Sequence, residues 1–188
     1  HSRTVPRDLR HEAVCGVSDL IMRLDARWQS RLSAGDDLVV TSGIFQTDVQ
    51  EHAVTRISGH VSFSLEARSL NSYTLTAFAE EIMATAHQVS EARGVTFRFD
   101  SPVLTEPATL DHSVFAALKH SCEALAVNHL ELASGAGHDS AIFARQGIPS
   151  GMVFVRNQNG SHNPHEAMEM DDFLLGVGVI QQTLEEWK

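Results

Sequence analysis

Cysteine, long apolar runs and a basic N-terminal leader are scarce or missing in this sequence of 188 residues. Two cysteines cannot build a disulfide framework, so a disulfide-stapled secreted domain is excluded. No apolar run approaches the roughly 20 residues that span a bilayer, and no basic stretch leads into an apolar one as in a signal peptide. We therefore expect a reduced, cytoplasmic protein with no membrane segment.

Basic residues are also in deficit, with 14 Lys and Arg against 24 Asp and Glu. The arginines concentrated near the N-terminus alternate with acidic residues, which is typical of a solvated helix face, so no nucleic-acid partner is expected. Hydrophobic residues make up 43% of the chain, enough for one or two small globular domains. Histidines number 11, and the sequence starts at His1 rather than Met, so we expect a processed chain or a piece of a longer one.

Apolar spacing in the first half predicts two long helices and three strands. Steps of three and four residues predict a helix over 8–32, and the stripe from Leu75 to Val89 predicts a second helix that Asn71-Ser72 caps and Gly94 ends. Strands are predicted over 38–45, 61–68 and 95–99. This order matches a β-α-β-β-α-β sandwich that lacks its first strand.

The second half has a different rhythm, in which helices alternate with short apolar strands. Helices are predicted over 111–126 and up to about Gln146, and strands near 130–132 and over 152–155. The last helix carries an apolar stripe of Phe173, Val177, Ile180, Leu184 and Trp187. Such alternation is typical of an α/β layer with parallel strands.

Two loops in the second half carry candidate chemistry. The loop 134–139 combines two glycines with His138 before a helix, so its backbone N–H groups and imidazole could face an anion or oxyanion; the alternative is a Gly-rich turn with His138 as a cap or surface residue. The loop 159–166 holds two histidines and a carboxylate, which suit Zn²⁺; the alternative is a polar surface loop. Neither loop contains the helical His-Glu-x-x-His pattern, so a thermolysin-type metalloprotease is excluded.

Other candidates are weaker on spacing alone. Arg68 projects from the polar face at the end of its strand, where it could clamp a carboxylate in bidentate fashion or form a surface ion pair. No Gly-x-Ser-x-Gly elbow occurs, so a serine hydrolase is excluded. Cys15 and Cys122 lie on helical faces among apolar neighbours, which favours packing over nucleophilic catalysis.

Five motifs of this sequence form a recognisable set: Ser134-Gly135-Ala136-Gly137-His138-Asp139, Pro149-x-x-Met152-x-Phe154-Val155, Gly160-Ser161-His162-Asn163-Pro164-x-Glu166, His1 with Thr4 and Pro6, and Ile57-x-Gly59-x-Val61-x-Phe63-x-Leu65-x-x-Arg68. Together they resemble the C-terminal part of M20-type metal-dependent amidohydrolases, in the branch of N-carbamoyl-L-amino-acid hydrolases, allantoate amidohydrolases and ureidopropionases. The resemblance covers essentially all 188 residues, but only about half of such an enzyme.

The resemblance implies a fold, a reaction and a partner. Residues 1–104 would form a dimerisation lid without its first strand, and 105–188 the C-terminal α/β portion of a catalytic domain that holds two divalent metal ions (Zn, Mn, Ni or Co). It implies a homodimer that hydrolyses a small ureido or carbamoyl substrate. By position, His162 matches a metal ligand, His138 and Arg68 match substrate contacts with the backbone at Gly137, and His1 matches a lid histidine that reaches the partner's active site.

Departures from the family pattern bear on the substrate and on activity. Thr55 stands where the family usually has an Asn that helps to hold the substrate carboxylate, and Glu66 replaces an Asp. The family's other metal ligands lie upstream of the matched region, and one histidine cannot hold a catalytic metal, which usually needs about three protein ligands. We therefore expect the chain alone to be inactive and metal-free.

Two other functions remain open at this point. The chain could be a non-catalytic dimerisation or interaction module that keeps the lid surface, or it could be part of an M20-type peptidase. The Gly-Ala-Gly-His-Asp and Ser-His-Asn-Pro segments resemble the carbamoylase branch more closely than a peptidase.

Overall fold

The chain folds as two units that meet in sequence between Pro107 and Ala108. A computed structural model describes residues 4–187. The first unit contains a short 3₁₀ turn, two helices and four short strands. Their order is the 3₁₀ turn Arg7–Leu9, α1 Ala13–Ser33, β1 Val39–Thr41, β2 Phe45–Thr47, β3 Val61–Phe63, β4 Glu66–Arg68 and α2 Ser72–Arg93.

The helix predicted from residue 8 starts later, at Ala13. Arg10 and Glu12 have extended backbone, so the 3₁₀ turn at 7–9 does not run on into α1. The Ala13 N–H donates instead to the Ser58 carbonyl at 3.1 Å, which ties the start of α1 to a distant loop. Val17, Leu20 and Leu24 of the predicted stripe are buried and Trp28 is partly buried, whereas Leu9 is 63% exposed.

The strands predicted over 38–45 and 61–68 pair in antiparallel fashion, but each is broken into two. β1 pairs with β4 and β2 pairs with β3. Between the two ladders, residues 42–44 stand opposite 64–65, so the first segment carries one extra residue and forms a bulge. Ile44 and Ser64 bridge the break, since each donates its backbone N–H to the other residue at 2.9–3.0 Å.

The strand predicted over 95–99 does not form a ladder with any described residue. Phe97 and Phe99 stack at 6.3 Å between ring centroids, and both meet the Phe63 ring edge-on at 6.1 and 6.2 Å. Phe97 packs against the core of the first unit, but a strand also needs a hydrogen-bonded neighbour.

The core of the first unit lies between the two helices and one face of the strands. Its buried members are Leu20, Leu24, Leu38, Phe78, Ala86 and Val89. The bounds predicted for α2 are confirmed: Asn71 Oδ1 accepts from the Tyr73 N–H at 2.9 Å, and Gly94 ends the helix with a left-handed φ of 62°.

We expect Gly94→Ala to destabilise the chain. Left-handed backbone costs a residue with a Cβ about 1–2 kcal/mol, and a Cβ at this position would clash with the His11 imidazole. Urea denaturation of wild type, Gly94→Ala, His11→Ala and the double variant measures both effects. The steric part should vanish in the His11→Ala background; a Gly94→Ala variant within about 0.5 kcal/mol of wild type would contradict the account.

The second unit contains three helices, α3 His112–Ala124, α4 Asp139–Arg145 and α5 Met170–Glu186. The strands predicted at 130–132 and 152–155 do not form, because no described residue pairs with either segment. One isolated bridge joins Gln158 and Ala167. The apolar run at 152–155 packs against α5 instead, where a Cβ on Gly176 would approach Val155 Cγ2 to 2.8 Å.

α5 uses a different face from the one expected. Its buried residues are Gly176, Val179 and Thr183, and the Thr183 hydroxyl donates to Ser121 Oγ of α3 at 2.8 Å. The predicted apolar stripe is 42–70% exposed in the second unit: Phe173, Val177, Ile180, Leu184 and Trp187. Within 4–187, no helix is long and apolar enough to cross a membrane.

Candidate functional site

The predicted site residues fall in both units. Thr55 and Arg68 belong to the first unit, and Gly137, His138 and His162 to the second. His1, expected to reach a partner's active site, lies outside the residues that the structure describes.

Arg68 ends β4, where Ala67 turns toward the helices while Glu66 and Arg68 are exposed. Arg68 Nη2 donates to Glu66 Oε1 at 2.8 Å, and the Arg68 side chain is 45% exposed. Arg68 therefore forms an exposed ion pair in this structure, and its role as a carboxylate clamp stays a prediction. An exposed ion pair contributes at most about 1 kcal/mol, so it holds the guanidinium weakly against an incoming carboxylate.

Asp37 fixes the chain directly after Arg68. Its carboxylate accepts from the Leu70 N–H at 2.6 Å and from the Ser69 hydroxyl at 2.8 Å. These bonds, the Leu70 N–H foremost, hold the pKa of Asp37 below its usual range. The end of β4, and with it the base of the Arg68 side chain, is thus tied to the loop before β1.

We expect Asp37→Asn to lower the free energy of unfolding by about 1 kcal/mol at neutral pH. A carboxyl with a lowered folded pKa stabilises the fold above its unfolded pKa, and that stability is lost as the pH falls through the folded pKa. The difference from wild type should therefore narrow below about pH 4. Urea denaturation across pH tests this, with Asp25→Asn, an exposed carboxylate of α1, as the control. A difference that stays constant down to about pH 2 would contradict it.

Thr55 lies in an exposed turn beside a cleft in the first unit. The cleft has a volume of about 490 Å³ and runs between the start of α1 and the loop 52–58. Arg56 lies on its wall and is held by Glu51, through the carboxylate at 2.9 Å and the carbonyl at 2.7 Å. Thr55 itself does not line the cleft.

The His138 side chain makes two contacts within the second unit. Its Nε2 lies 2.6 Å from Ser134 Oγ, and its ring meets Phe154 edge-on at 5.7 Å between centroids. The imidazole is half-buried. A Cβ at Gly137 would meet no described atom within 4 Å, so the space in front of this backbone is open. Sequence reasoning gave Ser134 no role, because a serine four residues before a histidine in a loop is not by itself a signal of contact.

His162 lies in an exposed loop that a carboxylate holds in shape. Glu166 Oε2 accepts from the His162 N–H at 3.0 Å, and Glu166 Oε1 accepts from Asn157 Nδ2 at 3.1 Å. The Asn157 amide and then the His162 N–H lower the pKa of Glu166. His162 has a left-handed φ of 63°, which is a strained backbone conformation for a histidine. The hydrogen bond from the His162 N–H to Glu166 stabilises this conformation. Asn157 was missed by sequence reasoning.

The described residues do not form a metal centre. Across 4–187, no group of three or more His, Cys, Asp and Glu side chains is placed to hold an ion. His162 offers one imidazole, and its neighbour Glu166 is engaged by two N–H donors. The donor set found here therefore does not fit a catalytic metal, which usually needs about three protein ligands.

The cysteines are not activated as nucleophiles. Cys15 Sγ donates to Glu12 Oε2 at 3.0 Å, and this bond together with burial raises the pKa of the Cys15 thiol. Burial raises the pKa of the Cys122 thiol. A higher pKa keeps the less reactive thiol form at neutral pH.

The sequence of this chain matches a known protein family. Residues 12–186 match the model for Peptidase family M20/M25/M40. The chain is 30% identical over 186 residues to an N-carbamoyl-L-amino-acid amidohydrolase of Pseudomonas sp. (strain NS671), covering 98% of this chain and 44% of that protein. It is 28% identical to the allantoate amidohydrolase of Escherichia coli (strain K12), covering 96% of this chain and 43% of that protein. The chain thus spans less than half the length of these relatives.

Solved structures show the same fold. A hydantoinase/carbamoylase-family amidase from Burkholderia multivorans matches with a TM-score of 0.87 at 23% identity, over 98% of this chain and 44% of that one. A dinuclear metal-binding M20 peptidase from Bacillus subtilis matches with a TM-score of 0.62 at 13% identity, over 92% of this chain and 45% of that one. These matches confirm the predicted fold class, and the relatives confirm the resemblance to M20-type amidohydrolases. The chain belongs to Peptidase family M20/M25/M40.

Proposed function

We propose that this chain supplies substrate-binding and catalytic side chains to a metal-dependent hydrolase of linear, non-peptide C–N bonds. Its substrates would be N-carbamoyl-L-amino acids, ureido acids or allantoate. The observation that carries the proposal is the loop 134–139, which holds a half-buried imidazole beside open backbone, in a chain that aligns over 98% of its length with an N-carbamoyl-L-amino-acid amidohydrolase.

The reaction class assigns a task to each residue. Water adds to the ureido carbonyl, the bond to the amino-acid nitrogen breaks, and that nitrogen takes a proton. The products are an amino acid and a carbamic acid that decomposes to ammonia and CO₂. His138 and the backbone at Gly137 donate to the developing oxyanion. Arg68 binds the substrate carboxylate, with Thr55 in the position of a second substrate contact.

This chain supplies only some of the side chains that a catalytic metal ion needs. Hydrolases of this family generally depend on divalent metal ions. We propose that His162 gives one imidazole ligand, with Glu166 holding its loop. The described residues supply no complete ligand set, so we expect the 188 residues by themselves to bind no catalytic metal and to be inactive. Zn, Mn, Ni and Co remain the candidate ions.

The two units suit different tasks. Residues 1–104 would act as a lid that forms a homodimer, and 105–188 as part of the catalytic domain. Exposed apolar side chains on the strands support a contact with a second copy, among them Val39 at 50% and Phe45 at 44% exposure. In such a dimer His1 would reach the partner's active site.

A non-catalytic interaction module is the second candidate. The observation that favours it is the lack of a three-ligand group among residues 4–187. A peptidase is the third candidate, favoured by the match to the Bacillus subtilis M20 peptidase, although that match is weaker than the match to the amidase.

Metal removal separates the first two candidates. The native polypeptide that carries these residues should release ammonia from N-carbamoyl-L-amino acids, lose at least about 90% of that activity after dialysis against a chelator, and regain it with Zn²⁺, Mn²⁺, Ni²⁺ or Co²⁺. The isolated 188-residue chain, assayed in parallel, should release none. Absence of turnover by the metal-loaded native polypeptide would support the interaction module.

A further inference from the structure

Ser134 and His138 form a hydrogen-bonded pair inside one loop. Ser134 Oγ lies 2.6 Å from His138 Nε2, and both side chains are half-buried. Phe154 packs against the imidazole at 5.7 Å between centroids, so the ring is held on a second side. These two contacts restrict the orientation of the half-buried His138 ring, whereas the ring of an exposed histidine can rotate freely.

The bonds around Ser134 determine which of the two groups donates. Ser134 Oγ accepts from the Ala136 N–H at 3.2 Å, and its single hydroxyl proton can go to His138 Nε2 at 2.6 Å or to the Ala136 carbonyl at 3.3 Å. Hydroxyl donors prefer about 2.5–3.0 Å, so Nε2 is the better acceptor. If Nε2 carried the proton instead, the Ser134 hydroxyl would be left with the long contact alone.

We propose that Ser134 is a positioning residue that fixes the tautomer of His138. The Ser134 hydroxyl donates to Nε2, so the neutral imidazole carries its proton on Nδ1, and Nδ1–H is the group that donates to the substrate. The tautomer is a property of this chain; its catalytic consequence rests on the proposed function, in which His138 donates to the developing oxyanion.

Nitrogen-15 NMR of the chain tests the tautomer directly. At about pH 9, where an ordinary imidazole is neutral, two-bond ¹H–¹⁵N correlations distinguish a protonated from an unprotonated ring nitrogen. The spectrum of His138→Gln assigns the His138 signals by their loss. The expected result is a protonated Nδ1 in wild type. A wild-type His138 protonated on Nε2 would overturn the proposal whatever the variants do.

Variants of Ser134 test whether its hydroxyl determines the tautomer of His138. Ser134→Ala should shift His138 toward the Nε2–H form, and Ser134→Thr, which keeps the hydroxyl, should restore the Nδ1–H form. Ser150→Ala removes another loop serine of the same unit, whose hydroxyl donates to Ile148 O at 2.9 Å, and should leave the tautomer unchanged. A His138 tautomer unaltered in a folded Ser134→Ala chain would also overturn the proposal. If that variant does not fold, the wild-type spectrum still decides.

Kinetics of the native polypeptide test the consequence. Ser134→Ala should lower kcat for an N-carbamoyl-L-amino acid about 5- to 10-fold, the equivalent of one neutral hydrogen bond, with KM nearly unchanged. Ser134→Thr should recover most of the loss. If the proposed function fails, no variant turns over this substrate, yet the NMR result stands. If only the positioning role fails, turnover persists and Ser134→Ala matches wild type.

Discussion

Replacing His138 by Ala should lower kcat for an N-carbamoyl-L-amino acid by about 10²–10³-fold, the typical loss when one oxyanion donor is removed. KM should change little, because the donor acts on charge that develops in the transition state and is absent from the bound substrate. The structure supports a fixed donor, since Ser134 and Phe154 hold the half-buried ring from two sides. Steady-state ammonia release by the native polypeptide measures both constants.

The matched control for this variant is His129→Ala. His129 is an exposed histidine of the same unit whose ring contacts Val127 O at 3.3 Å, outside the loop 134–139. It should keep wild-type kcat and KM. A His138→Ala enzyme within about threefold of the wild-type kcat would contradict the oxyanion role, since such a loss is far below the 10²–10³-fold typical of a lost oxyanion donor.

Replacing Arg68 by Ala should raise KM about 100-fold and leave kcat within a few-fold, because a carboxylate anchor contributes equally to substrate and transition state. Arg68→Lys should be intermediate, since an ammonium keeps the charge but loses the planar fork. Glu66→Gln removes the ion pair that Arg68 makes at 2.8 Å and should leave KM unchanged or lower it.

Two comparisons give this prediction its specificity. Arg23→Ala removes an exposed arginine of α1, paired with Asp19 at 2.9 Å, and should not alter KM. A carbamoyl substrate whose carboxylate is replaced by an amide should bind equally weakly to wild type and to Arg68→Ala. A KM for the normal substrate that is unaltered in Arg68→Ala would show that Arg68 forms only a surface ion pair.

Local signals predicted the parts of the fold that local chemistry determines. α2 was predicted to within a residue at each end because Asn71 caps one end and Gly94 ends the other. The predicted start of α1 was wrong. The helix begins at Ala13, whose N–H donates to the distant Ser58 carbonyl, and residue spacing in the sequence cannot show such a hydrogen bond.

Non-local pairing accounts for most of the other errors. The segments 95–99, 130–132 and 152–155 have strand-like patterns, but a ladder needs a neighbour that the pattern does not specify. The extra residue opposite Ser64 likewise depends on how two distant segments meet. On α5, apolar residues occur on more than one face, so periodicity alone could not determine which face packs against α3.

In the candidate site, too, the sequence predicted some residues and the structure revealed others. Motif spacing predicted His138, His162 and Arg68 as site residues, but the partners that hold them emerged only in three dimensions. Ser134 and Asn157 are ordinary polar residues in sequence, and their roles follow from single hydrogen bonds of 2.6 and 3.1 Å. The assignment of all of these residues to the site, and of Gly137, His1 and Thr55 with them, remains a prediction.

The ratio of kcat/KM for an N-carbamoyl-L-amino acid to that for a dipeptide, measured on the metal-loaded native polypeptide, tests the central claim most directly. A site built for a ureido group rejects substrates that leave its polar groups unpaired, so the ratio should be at least about 10³. A ratio below one, with dipeptides as the better substrates, would contradict the assignment and favour a peptidase of the same family.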